Sequence, residues 1–235
     1  MLIDMHAHTS GISRCCKANI SVALTAAREK EIDGLVLTNH YQESYIESGD
    51  AEAFARSYVK EYEDARQLAD EMGMKLFFGV EVTALLHDNA HILLYGIKPD
   101  FVPRHPNIHT ETLKCMHALV HAEGGLVVQA HPFRNKGTLL EPCYLDGVEV
   151  NCHPLYDSTH SKRLLHIASE NHILVTCGGD YHADTYRPSC GAYFPDDTKN
   201  EQDLVKWLMH TSTITLRIHE LRKKEHQDVA FHKEK

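Results

Sequence analysis

An α/β fold with mostly parallel strands, closed into a barrel, is predicted by three features of this 235-residue sequence. Short apolar runs of strand length alternate with helical patterns along most of the chain. The runs are apolar almost without interruption, as in strands covered on both faces. Seven or so such units recur, which favours a closed barrel over an open sheet.

The elements follow in order. "LIDM" (2–5) is the first strand. "SVALTAAREKE" (21–31) reads as a helix with Val22, Ala26 and Ala27 on one side and Ser21 as its cap. "GLVLT" (34–38) is a strand, and "DAEAFARSYVKEYEDARQLADEMG" (50–73) the strongest helix, opened by Asp50 and closed by Gly73. Phe54, Tyr58, Tyr62, Ala65 and Leu68 recur along it at helical spacing. Strands "KLFFGV" (75–80) and "ILLYG" (92–96) precede a helix over 110–125. Strands "GLVVQA" (125–130) and "DGVEV" (146–150), a helix over 158–172 and strand "ILVTC" (173–177) come next. A helix over 200–210 and strand "TITLRI" (213–218) complete the set. Residues 1–220 are expected to form one barrel domain, and 221–235 ("LRKKEHQDVAFHKEK") a polar tail, frayed or disordered.

Composition narrows the function. A net charge of −9 disfavours long nucleic acids. No apolar run is long enough to span a bilayer and no signal peptide is visible, so a cytoplasmic location is expected. Seven cysteines, an odd number without a CxxC, argue against a disulfide framework. Nineteen histidines are the anomaly.

The histidines are informative because of where they sit. "LIDMHAH" delivers His6 and His8, "GLVLTNH" His40, "FFGVEV" Glu81, "GLVVQAH" His131, "GVEVNCH" Glu149 and His153, and "ILVTCGGDYH" Asp180 and His182. Barrel strands converge with their C-terminal ends on one mouth, where sites are built. Imidazoles and carboxylates gathered there are costly unless paired, and divalent cations satisfy them. Mixed His/Asp/Glu ligation suits Zn²⁺, Mn²⁺ or Fe²⁺, and more than four ligands imply more than one ion. His91 opens its strand instead of closing it, so spacing alone leaves its role open. Glu149 and His153 are expected behind the ligands, orienting them or the substrate.

Together "DMHAHTS", "LVLTNHY", "GVEV", "HILLYG", "VVQAHP" and "GGDYH" resemble, in order, the motifs of the PHP (polymerase and histidinol phosphatase) family. The resemblance runs from residue 4 to about residue 195, including a "GxYFP" match. It implies a distorted (β/α)7 barrel with two or three divalent metal ions at the mouth, hydrolysing phosphate esters. In that pattern His6 and His8 are the opening ligand pair, Glu81 the bridging carboxylate and Asp180 the ligand completing the first site. His91 and His131 belong to the second ion, and His40 and His182 to the third. A further Asp or His expected soon after the HxH pair is missing from "TSGISRCCK" (9–17), where Cys15, Cys16 or water could stand in and Ser13 help weakly, so the third ion is expected to be loose or absent.

The implied reaction is attack on phosphorus by a metal-bound hydroxide. His40 or His182, where not committed to an ion, is expected to protonate the leaving oxygen, and Arg187 and Arg134 to steady the phosphoryl charge. Arg14 and Lys17 are weaker candidates. A small phosphorylated substrate, a phosphomonoester, is the leading expectation. A phosphodiesterase or nuclease on nucleotides or short oligonucleotides, a deaminase-like amidohydrolase, and a non-catalytic metal-stabilised interaction module stay open. Loops near 41–50, 98–110 and 132–145 are expected to set the substrate.

Overall fold

The structure, a computed structural model, describes residues 1–134, 137–154, 156, 160–183, 186–219 and 225–233. In chain order the elements are β1 (Leu2–Ala7), α1 (Ile20–Glu29), β2 (Gly34–Leu37), the two-residue β3 (His40–Tyr41), α2 (Ala51–Glu71), β4 (Lys75–Ala84), β5 (Ala90–Tyr95), the single-turn α3 (Phe101–Arg104) and α4 (Leu113–Ala122). Then come β6 (Leu126–Gln129), β7 (Gly147–Asn151), α5 (His160–Glu170), β8 (Leu174–Gly178), β9 (Gly191–Tyr193), α6 (Glu201–His210), β10 (Thr213–His219) and β11 (His226–His232). Helices α1, α2, α4 and α6 start where side chains satisfy their first free N–H groups. Asp50, Thr112 and Asn200 cap α2, α4 and α6. Asn19 rather than Ser21 caps α1, its Oδ1 accepting from the Val22 N–H at 3.0 Å. No helix among the described residues is long and apolar enough to cross a membrane.

The fold is mixed α/β. The strands form one sheet in the order β11-β10-β9-β1-β2-β4-β5-β6-β7-β8, with β3 beside β4. Its β8 end comes back to β1 through a bridge between Ala7 and Tyr181, and the His8 N–H donates to the Tyr181 carbonyl at 3.2 Å. The sheet is thus a nearly closed barrel. Alternate residues bury opposite faces: in β2, Leu35 and Leu37 join one apolar cluster and Val36 the other. Leu76 and Phe78 of β4 divide from Phe77 in the same way.

The pairing departs from a purely parallel (β/α)7 barrel in two places. β5 runs antiparallel to both β4 and β6. Only the turn 85–89 joins β4 to β5, with Asp88 and Asn89 in the left-handed region (φ 51° and 56°), so there is no room for a helix and the chain must reverse. Beyond β1, β9, β10 and β11 extend the sheet antiparallel. The polar tail expected from residue 221 therefore contains a strand, β11, paired with β10 along its length. Only Phe231 of that strand is buried, which is why its sequence reads as polar.

Glycine is needed at one point close to the strand ends. A Cβ on Gly178 would lie 2.3 Å from the Cβ of His6, 2.7 Å from its backbone nitrogen and 2.8 Å from Glu149 Oε1. Gly178→Ala should cost about 1–3 kcal/mol by overpacking, read as a lower urea midpoint.

Candidate metal centre

The strand ends bring all eight of the expected ligands to one bowl. His6 Nε2, His8 Nε2, Glu81 Oε2 and Asp180 Oδ1 form a tight group. Its measured edges are 3.0 Å (His6–His8), 3.4 Å (each of these with Glu81), 3.5 Å (His6–Asp180) and 3.2 Å (His8–Asp180). Four donors at 2.0–2.1 Å from one tetrahedral ion stand about 3.3–3.4 Å apart, so the group has the dimensions of such a shell. Glu81 Oε1 faces a second set, His91 Nδ1 at 2.8 Å and His131 Nε2 at 3.1 Å. His40 Nδ1 lies 2.7 Å from Glu81 Oε2, and its Nε2 is 3.3 Å from His182 Nε2. Donor atoms of His8, His40 and His182 also lie within 4.8 Å of one another.

The inverted β5 explains His91. That residue opens β5, but β5 runs against its neighbours, so its start lies at the end where the parallel strands finish. Residues at the two loops after strands are held in an uncommon backbone: His131 (φ 27°) and Asp180 (φ 48°) both take positive φ. Such strain persists where surrounding structure fixes it, and is concentrated at functional sites.

Neighbours set the imidazole tautomers. Glu149 Oε1 accepts from His6 Nδ1 at 2.7 Å, which leaves the Nε2 lone pair for the bowl. Asn39 Oδ1, already accepting from the Thr9 N–H, takes the Ser13 hydroxyl proton at 2.8 Å. Ser13 Oγ then accepts from His8 Nδ1 at 3.2 Å and from the His40 N–H at 3.0 Å. His182 Nδ1 donates to the Asp180 carbonyl at 2.8 Å. Glu149 also holds the His131 N–H through Oε2, so its expected supporting role matches its position.

Electrostatics fits a cation. Burial alone would raise the Glu81 and Asp180 carboxyls, yet the imidazoles, led by His40 at Glu81 and His6 at Asp180, hold both well below the carboxylate range. Burial lowers His40 and His182, but Glu81 and Asp180 respectively carry them up to about 9 and about 10. Even so, His40 Nδ1, Glu81 Oε2 and Asp180 Oδ1 are buried with no well-aligned hydrogen bond, facing only one another and the other donors of the bowl. Donors left in that state, all aimed into one bowl, fit a divalent ion.

The arginines separate. Arg134 lines the cleft and donates to Asp180 Oδ2 at 2.6 Å. Arg187 does not reach it. It is buried behind β1, paired with Asp4 at 2.8 Å, its guanidinium 4.4 Å from the Tyr181 ring centre. Its expected catalytic role is therefore replaced by a structural one. Asp4, which sequence reasoning passed over, also accepts from the His6 and Gly179 N–H groups. An acid inside the apolar run "LIDM" was the available signal. Arg14 pairs with Glu47 on the surface. Of the adjacent cysteines, Cys16 is buried against the His8 and Ala18 carbonyls, whereas Cys15 lines the cleft. Burial raises the Cys15 thiol, but hydrogen bonds with His182 and His40 outweigh it and bring it to about 5.

The cleft over the bowl has a volume of about 850 Å³. The tip of the β4–β5 turn (Leu86 to Asn89), Phe133, Arg134, Thr138 and Leu140 form its walls. Among the described residues, the loops near 41–50 and 98–110 do not line it, and the 132–145 loop does. The turn tip, which was not foreseen, replaces the first two. His153 lines the cleft as well; burial takes its imidazole down to about 4.

No protein-family model and no curated protein matches the chain. Solved structures do. PsfC from Pseudomonas syringae PB-5123 superposes with a TM-score of 0.64 at 17% identity over 87% of each chain. A Bifidobacterium adolescentis protein, provisionally described as a metal-dependent phosphoesterase, gives 0.55 at 19% identity over 88% of this chain and 95% of its own. An amidohydrolase from Chromobacterium violaceum, solved with sulfate and no metal, gives 0.54 at 15% identity over 88% and 96%. These likenesses establish a shared fold.

A pH test follows from His40 and His182. Their folded values of about 9 and about 10 exceed the ordinary 6.5, so in ion-free protein their protonation stabilises the fold fully below pH 6.5. That contribution disappears as pH rises through 9 to 10. Chelator-treated protein should lose Tm across this window, while apparent affinity for Zn²⁺ or Mn²⁺ should rise across it as protons cease to compete. Calorimetric scans and metal titrations at stepped pH check both slopes.

Proposed function

We propose that the chain is a metal-dependent phosphoesterase acting on a small phosphomonoester. One observation carries the reading: the two oxygens of buried Glu81 face different donor sets, His6, His8 and His40 on one side and His91 and His131 on the other. A carboxylate so shared suits paired ions, a device used in phosphoryl displacement. His6, His8, Glu81 and Asp180 would hold one ion, Glu81, His91 and His131 a second, and His40 and His182 a third. Zn²⁺, Mn²⁺ and Fe²⁺ all suit these donors. Bound there, the ions supply Lewis acidity toward phosphate oxygens and a water acidic enough to act near neutral pH. The phosphoesterase description of the Bifidobacterium structure supports this reading.

The protein's own groups do the rest. Arg134 is the only arginine or lysine among the described cleft-lining residues, so it is the side chain that steadies charge on the transferred phosphoryl group. When the third ion is absent, His182 and His40, at the cleft wall, are the proton donors nearest a leaving oxygen. The walls Leu86, Pro132, Phe133 and Leu140 accept an apolar part of the substrate. The cleft volume falls in the range of small-molecule sites. With net charge −9 and Arg134 the single arginine or lysine among the described cleft-lining residues, a long polyanion has little to hold it.

Metal-reconstituted protein should hydrolyse p-nitrophenyl phosphate and leave bis-p-nitrophenyl phosphate intact. Turnover of the diester alone would favour a phosphodiesterase; turnover of neither, with ions retained, would favour a non-catalytic module. Asp180→Asn should abolish retention of about one ion and the activity with it. Arg134→Ala should lower kcat/KM by about 10²-fold, comparable to losing one charge-stabilising donor. Arg187→Ala should instead cost about 3–5 kcal/mol of stability, measured by denaturant unfolding.

A further inference from the structure

A second sulfur-rich cluster lies away from the bowl. Cys152 follows β7, Cys177 is on β8, and Cys190 directly precedes β9. One donor atom from each lies within 4.8 Å of the others, and Cys152 Sγ and Cys177 Sγ are 3.7 Å apart. All three are buried, with at most 4% exposure. Thiolates 2.3 Å from a tetrahedral ion stand about 3.8 Å apart, so the measured edge is that of a metal–thiolate site, far longer than a disulfide bond of about 2.05 Å. Polar groups surround the sulfurs. The backbones of His219 and Gly191 are within hydrogen-bonding reach of Cys152 and Cys177, and the Tyr186 hydroxyl, near Cys152 and Cys190, is buried with no hydrogen-bond partner. The donors among them offset the negative charge that thiolates keep around a divalent ion, whereas the Arg217 carbonyl, 3.3 Å from Cys177 Sγ, accepts from the thiol and would lose that bond on metal binding.

The position gives the cluster a purpose. β8 and β9 are not hydrogen-bonded neighbours: β9 pairs with β1 and β10, and β8 ends the strand order. Cys177 and Cys190 therefore face each other across the seam where the barrel lacks a ladder. An ion between them would join β8 to the start of β9 and to the end of β7. It would also lie close under the bowl, since a Cβ on Gly179 would be 3.4 Å from Cys190 Sγ and 3.0 Å from Asp4 Oδ2.

We propose that Cys152, Cys177 and Cys190 form a structural site for a thiophilic d¹⁰ ion, Zn²⁺ or Cu⁺, that staples the barrel seam. The site stands independently of the phosphoesterase reading, because it shares no ligand with the mouth.

The test isolates it from the mouth. His6→Ala/Asp180→Asn/Cys15→Ser protein, made in cobalt-supplemented medium, should show a thiolate-to-cobalt charge-transfer band in the near ultraviolet, which histidine and carboxylate donors left at the mouth cannot give. Adding Cys190→Ala should remove the band and lower the cobalt content by about one equivalent. X-ray absorption on the zinc form with the three cysteines unmutated should report sulfur ligands, a readout that needs no cysteine variant to fold. Absence of the band and of sulfur ligands overturns the proposal. So does a band that survives Cys190→Ala, or an intact mass two hydrogens short, which would mark a disulfide.

Discussion

The molecule is organised around one buried carboxylate. Glu81 has no exposed surface, yet five imidazoles crowd its two oxygens. A charge in that setting is tolerable only if cations surround it, and the imidazoles supply that role partly, as protons on His40 and His182. A divalent ion supplies it more fully, because it uses the lone pairs that protons would block. The arrangement of β1, β3, β4, β5 and the loops after β6 and β8 can be read as the scaffold that this one side chain requires.

That requirement extends outward in layers. Three bowl imidazoles find an acceptor for the far nitrogen: Glu149 for His6, Ser13 for His8, the Asp180 carbonyl for His182. Ser13 is in turn committed to Asn39, and Asn39 to the Thr9 backbone. Behind Asp180, Asp4 fixes the Gly179 backbone and is itself held by Arg187. The geometry of the bowl thus rests on residues that never face it, which is how ligands are kept within a fraction of an ångström.

Much of this was legible in the residues. Strand and helix periods carry through to the elements, and His6, His8, His40, Glu81, His131, Asp180 and His182 were visible because each follows an apolar run. What stayed hidden depended on direction and depth. The reversal of β5 cannot be read from "HILLYG", since an apolar strand has the same pattern running either way. Arg187 follows a strand-end motif as a substrate-binding arginine would, and only burial beside Asp4 reveals otherwise. β11 escaped because a strand with a single buried side chain has no alternation strong enough to register. The turn over 85–89 carried no chemical signature, although it forms a wall of the cleft.

That turn has a consequence for how such a protein diversifies. It leaves the sheet as a tight hairpin whose two legs are locked by six paired positions, from Gly79–Tyr95 to Ala84–Ala90. Residues added or exchanged at its apex would reshape the rim of the entrance while the ladder below kept Glu81 and His91 in register. The rim can therefore change at the tip without disturbing the donor geometry at the base, a separation of what surrounds the cleft from what lies under it.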